Sequence, residues 1–141
     1  MTASKREQIL AAITTSLAGT TGVGSRIYRS RVEAFARNEA PAIVVEGGRE
    51  PAATYSTCKL DWTLDVLVAI YAWGNIPDQL ADPVRVSAHA KLMADRSIGG
   101  LAIDIVPTSV DPQLETGDQP AVWMVCTYQV RYRTAANDLT A

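Results

Sequence analysis

Two stretches of this chain alternate for longer than a domain of its size can hold straight. From Lys59 to Ala72, the residues Leu60, Trp62, Leu64, Val66, Val68 and Ile70 fall on one face of an extended backbone. Ala121 to Thr134 forms a second such run. At ~3.3 Å per residue each spans roughly 43 Å. A compact domain of 141 residues has a radius of gyration of about 14 Å, hence a diameter of roughly 37 Å. Such strands must coil strongly or project from the body, and a projecting strand exposes backbone that ordinarily finds a partner.

The two patterns also complement each other. Asp61, Thr63 and Asp65 wet one face of the first run, whereas residues 66–72 are apolar on both faces. The second run reverses the order: 121–126 is apolar on both faces, and Thr127, Gln129, Arg131 and Arg133 follow on a wet face. Antiparallel pairing therefore sets dry half beside dry half and brings Asp61 and Asp65 near Arg131 and Arg133. Those charges read either as a solvated cross-strand ladder or as groups that set register with a neighbour.

The remaining elements are shorter. Ser4-Lys5-Arg6-Glu7 has the capping-box pattern, in which Ser4 takes a free amide and Glu7 reaches back. Ile9, Leu10, Ile13 and Leu17 then recur at helical spacing up to a stop at Gly19. A short strand is expected over Arg26–Arg29 and another over Ala42–Glu46, closed by Gly47-Gly48. Residues 32–40 carry no clear period, and a helical turn ended by Pro41 is one reading of them. Residues 49–57 read as a polar loop. Asp82-Pro83 reads as a helix N-cap followed by proline at the first helical position, with Val84, Ala88 and Leu92 four apart and an end near Asp95. Gly99-Gly100 leads into a strand over Leu101–Val106 and a second over 108–115, and Gly117-Asp118-Gln119-Pro120 turns into the last long run. The expected fold is α+β: one domain over residues 1–141, a mainly antiparallel or mixed sheet with two principal helices packed on it, and a polar tail at 135–141.

Composition narrows the function. A hydrophobic share of 48% against 20% charged residues supplies a core and argues against disorder. The net charge of −2 gives no overall attraction to nucleic acid or to an anionic membrane. The N-terminal residues lack the apolar stretch of a signal peptide. The longest apolar run, Val66–Trp73, is far short of the ~20 residues a membrane helix needs. Two cysteines, Cys58 and Cys126, make no disulfide framework; the pairing above holds them on the order of 30 Å apart, and Cys126 reads as a core residue. These features read as a cytoplasmic, reduced protein without a membrane partner.

Chemical motifs fail when tested. Gly19-Thr20-Thr21-Gly22-Val23-Gly24-Ser25 has glycines at phosphate-loop separation, but Ser25 stands where a lysine is needed. The segment also follows a helix and precedes a strand, the reverse of the order that aims helix amides at an anion. His89, the sole histidine, has no ligand at metal spacing. No serine sits in a nucleophile elbow, and no carboxylates pair for acid–base work. No catalytic residue, cofactor or metal is therefore expected. Two groups keep an interest in binding. Arg26, Arg29 and Arg31 form either a phosphate or acidic-partner contact or a solvated face. Trp73, beside Gly74-Asn75-Ile76-Pro77, is either a loop anchor or an interface aromatic.

Several segments, in this order of elements, resemble the tail terminator proteins of long-tailed bacteriophages, the minor tail protein U type. They are Asp82-Pro83, Ala88-His89-Ala90-Lys91-Leu92-Met93, Gly99-Gly100-Leu101-Ala102-Ile103-Asp104-Ile105, and Tyr128-Gln129-Val130-Arg131-Tyr132-Arg133-Thr134 with Asp138-Leu139-Thr140. The similarity covers most of the chain. It implies a structural virion subunit, assembled in the host cytoplasm and placed at the head-proximal end of the tail. Its implied partners are five further copies in a homo-hexameric ring, the tail tube protein whose growth the ring stops, and a head-side connector or neck protein. DNA would pass through the lumen without specific binding, which a slightly acidic subunit suits. Arg26, Arg29, Arg31, Trp73, Arg131 and Arg133 are the candidate interface residues. Two rivals are a head–tail joining or neck protein and a small-ligand-binding or enzymatic α+β domain; a gene immediately upstream of a major tail-tube gene would favour the terminator. On the motif inventory, purified protein is expected to carry no stoichiometric metal, which elemental analysis checks.

Overall fold

A computed structural model describes residues 3–31, 35, 39–116 and 119–141. The chain runs α1 (Lys5–Ser16), β1 (Ile27–Arg29), β2 (Ala42–Gly47), β3 (Ala52–Ser56), β4 (Lys59–Trp73), α2 (Pro77–Met93), β5 (Asp104–Glu115) and β6 (Ala121–Ala135). The architecture is α+β, with both helices set against one mixed sheet of order β1-β2-β4-β6-β5, and with β3 beside β4. Among the described residues only β1 and β2 run parallel, and every other pairing is antiparallel.

The long strands pair along their whole length, from Lys59 opposite Ala135 to Trp73 opposite Ala121. Their excess length is shared among short neighbours. On the outer side of β4, β2 takes Val66–Tyr71 and β3 takes Lys59–Trp62. On the outer side of β6, β5 reaches no further than Arg131. Beyond the five-strand body there extends a three-stranded end made of β3, the start of β4 and Tyr132–Ala135 of β6. The outer edge of β6 there is tied off: Lys5 Nζ donates to the Arg133 carbonyl at 2.9 Å and Ala135 N–H donates to the Ala141 carbonyl at 2.7 Å.

Strand alternation decides which residues build the core. Leu64, Val66, Val68 and Ile70 of β4 share a face with Val122, Met124, Cys126, Tyr128 and Val130 of β6 and with Ile43 and Val45 of β2. Ile9, Leu10 and Ile13 of α1, with Leu17 just past it, and Ala81, Val84, Ala88 and Leu92 of α2 close over that face. Full burial of each large aliphatic side chain contributes about 1.5–3 kcal/mol. The opposite face carries a smaller layer, in which Phe35 lies 5.3 Å from Tyr71 and 5.6 Å from Trp123 between ring centroids, and 5.5 Å from Tyr28.

Several expectations hold and several are corrected. Ser4 caps α1 by accepting the Glu7 N–H at 3.2 Å, but the Glu7 carboxylate turns to Arg29 instead of reaching back. Residues 52–56 form β3 in place of a loop; all five are exposed, so no burial pattern marked them, and the free edge of β4 supplies their partners. The second helix begins at Pro77, not at Pro83. Pro77 occupies the first turn, where a missing N–H costs nothing, and Pro83 lies inside the helix. The Gln79 carbonyl that Pro83 leaves without a helical donor belongs to an exposed residue, so water can take it. The two strands expected at 101–106 and 108–115 are one strand from Asp104, with an irregularity between Pro107 and Ser109; Leu101 stays in the turn behind Gly100. The suggested turn within 32–40 and the Gly117-Asp118 half of the last turn lie outside the described residues, apart from Phe35, Glu39 and Ala40.

The charge pairing across the long strands is in the register the alternation demands. Asp61 faces Arg133, and the guanidinium holds both carboxylate oxygens, at 2.6 and 3.3 Å. This hydrogen bonding lowers the Asp61 pKa, so the pair supports the fold above the ordinary carboxylate value and ceases to do so as pH falls through the depressed one. The difference in urea midpoint between wild type and Asp61→Asn is therefore expected to be constant at neutral pH. It should shrink once the pH drops below about 4; a difference unchanged down to acid unfolding would contradict the pairing.

Candidate assembly surface

The expected arginine cluster does not form one surface. Arg29 stands opposite Val45, on the face covered by the helices, and grips Glu7 of α1 with contacts of 2.8 and 3.1 Å. The Glu7 carboxyl is held below its usual range by that hydrogen bond, and the Arg29 pKa is raised in turn. Arg31 serves the other face: its guanidinium lies 4.6 Å from the Tyr28 ring centroid and 4.2 Å from that of Phe35, and pairs with Glu39 at 2.9 and 3.2 Å. Arg26 is spent on backbone, donating to the Pro41 carbonyl at 2.9 Å and the Gly22 carbonyl at 2.8 Å. These contacts fasten α1, the glycine turn and the start of β2 to β1.

Arg131 and Arg133 do share a face, near the extended end. Arg133 stacks 3.4 Å over the Tyr55 ring of β3 while holding Asp61. Arg131 is exposed, stands opposite Thr63 on one side and Asp104 on the other, and its charge helps lower the pKa values of Asp61 and Asp104. Asp104 is itself bound to Arg96 at 2.7 and 2.8 Å. Trp73 ends β4 half-buried opposite Ala121, at the far end of the sheet from Arg133, where Gly74 N–H closes onto the Pro120 carbonyl at 3.0 Å. Of the six expected residues, only Arg131 and Arg133 are brought together.

Sequence reasoning missed a groove. The core-side face of β5 outruns α2, which packs on β4 and β6. An open depression of about 290 Å³ results, lined by Arg85, Val86, His89, Val110 and Tyr128 among others. Val86 is 63% exposed and Leu114, further along β5, is 69% exposed. At its floor, His89 Nδ1 and the Tyr128 hydroxyl are 2.8 Å apart. Burial pushes the Tyr128 phenol up to about 12 and raises the Cys126 thiol as well, so both stay protonated at neutral pH. The one signal in the sequence was Val86, an apolar residue off the Val84-Ala88-Leu92 stripe.

Among the described residues, no three His, Cys, Asp or Glu side chains gather to hold a metal ion, and no helix is long and apolar enough to cross a membrane. No family model matches the chain, and no curated protein matches it. Among solved structures, a chain from the virion of a native gene transfer agent (GTA) particle is similar over 86% of this chain and 93% of its own length, with 13% identity and a TM-score of 0.45. So loose a likeness carries neither a role nor a site.

The two kinds of arginine should separate on substitution. Arg26→Ala removes a charged donor from two carbonyls and is expected to cost about 1–2 kcal/mol. Arg131→Ala, which breaks no hydrogen bond, should leave the urea midpoint unchanged. Equal losses from both would show that Arg26 is no internal fastener.

Proposed function

We propose that this chain is a structural virion subunit of the tail-terminator kind, one copy in a ring that caps a tail tube, halts its growth and meets the head-side connector. The resemblance of its segments to that family supplies the specific role. The observation that carries it is the geometry of the long β4–β6 ribbon. The ribbon reaches past the sheet body at one end, is flanked there by a wholly exposed β3, and leaves β5 as a free edge at the other.

A ring subunit needs two different surfaces joined by something stiff, because a head-to-tail contact closes only when each rotation is fixed. A ribbon with fifteen residues in each strand, paired throughout, meets that demand. The candidate interface groups are then best divided. Arg131 and Arg133, with Tyr55, remain at the extended end as polar groups able to set register. Arg26 and Arg29 keep the subunit rigid. A net charge of −2 suits a lumen through which DNA slides, since a basic lining would hold it.

The test is a phage in which this gene is disrupted. Overlong tubes that fail to join heads are the expected outcome; tails of normal, fixed length would exclude a terminating role.

A further inference from the structure

Within the ring reading, and resting on it, the groove between α2 and β5 has a second requirement to meet. Val86, Val110 and Leu114 are 63%, 38% and 69% exposed on one side of the sheet. Arg85 lines the depression together with Cys126 and forms no ion pair with any carboxylate among the described residues. The depression, about 290 Å³ and open to solvent, is at the lower end of the roughly 300–1,000 Å³ of pockets that enclose small molecules. Its apolar walls and unpaired guanidinium fit an aliphatic side chain standing next to a carboxylate.

This chain presents such a pair elsewhere. Leu139 is 52% exposed beside Asp138, which likewise has no basic partner among the described residues. The corner is rigid: the Leu139 carbonyl accepts the Lys5 N–H at 2.7 Å, and Asp138 Oδ1 takes the Thr140 N–H and hydroxyl at 2.9 and 2.6 Å, leaving Oδ2 for another donor. Among the other exposed apolar groups, Ile76 and Leu80 have no carboxylate at the adjacent position in the chain, and two more are already matched. Tyr55 lies under Arg133, and Ile103 adjoins an Asp104 held by Arg96. We infer that the α2–β5 groove of one subunit receives Leu139 of a second copy, with Asp138 of that copy against Arg85.

The corner cannot fill its own groove. Cys126 forms part of the groove and Ala135 borders the corner, so the ribbon separates them by roughly 30 Å at ~3.3 Å per residue. The contact is therefore between copies; a reciprocal exchange would stop at two, whereas the head-to-tail arrangement that the ring reading requires continues from copy to copy. A corner held by its own hydrogen bonds loses little freedom on docking.

The test uses the full chain with the exposed Cys58 replaced (Cys58→Ser) and carrying Val86→Cys with Leu139→Cys. Oxidised at millimolar concentration, it should give a ladder of covalent oligomers. Either cysteine alone, or Val86→Cys with Tyr55→Cys, should stop at dimers. Adding Arg85→Glu or Asp138→Arg to the two-cysteine chain should each cut the ladder about tenfold, and the two together should restore it. All six substituted positions are on the surface, and circular dichroism checks that each variant folds. Lack of a ladder, or failure of the double reversal to restore it, overturns the contact. Rings seen by native mass spectrometry without the ladder would leave the terminator reading standing. A ladder from a chain whose loss does not alter tail length would keep the contact and sink that reading.

Discussion

The pairing of β4 with β6 is the constraint on which the rest of the molecule depends. Fifteen residues of each strand meet without interruption, and each strand alternates strictly between a face for the helices and a face away from them. A slip of one residue would turn Leu64, Val66, Val68 and Ile70 outward together, so the register is fixed by the burial of the whole row. The ion pair of Asp61 with Arg133 agrees with that register but does not set it, since both groups lie on the wet face. The neighbouring strands find their places by reference to this ribbon: β2 and β3 divide the free edge of β4, β5 takes that of β6, and β1 follows through β2.

The ribbon was legible in the sequence because it obeys two periods at once, the alternation of single residues and the longer change from wet to dry. The register of Asp61 with Arg133 follows from matching those longer segments. What could not be read had no such pattern. In β3, Ala-Ala-Thr-Tyr-Ser is exposed at every position, so it owes its extended form to a neighbouring edge and not to its own side chains. The start of α2 was misplaced because Asp82-Pro83 has the composition of a helix beginning, while the buried row of Ala81, Val84, Ala88 and Leu92 carries the helix through it. Tertiary packing overrides a local stop signal when the proline faces water and the burial lies on the other side.

The candidate site was legible only in part, for a related reason. An arginine in a sequence carries no mark of whether its partner is internal. Arg29 and Arg31 are two residues apart, yet one serves the helix face and the other the aromatic layer behind the sheet. Arg26 is taken up by two carbonyls of the turn between α1 and β2. Burial of the aromatic layer is what makes the Arg31 guanidinium useful there, as a planar cation that covers two rings while pairing with Glu39. The α2–β5 groove escaped notice because it arises from a mismatch in extent between a helix and a strand far apart in the chain.

Under the proposed ring reading, the subunit must also avoid joining copies of itself too soon. β5 is a twelve-residue edge, long enough to recruit a stray strand, and it is handled in two ways. Pro107 and Pro112, opposite Tyr128 and Met124, each remove a backbone donor, and the irregularity between Pro107 and Ser109 breaks the flat run. Asp111 and Glu115 add like charge along the same strand, so two such edges brought together would repel. Backbone pairing along β5 is therefore penalised, while its side chains Val110 and Leu114 remain open toward the groove. An interface that relies on side-chain fit instead of edge-to-edge hydrogen bonding discriminates better between a proper neighbour and an arbitrary strand, because fit requires a particular knob with a particular charge beside it. That is the behaviour the proposed ring would need for its contacts to close at one rotation and no other.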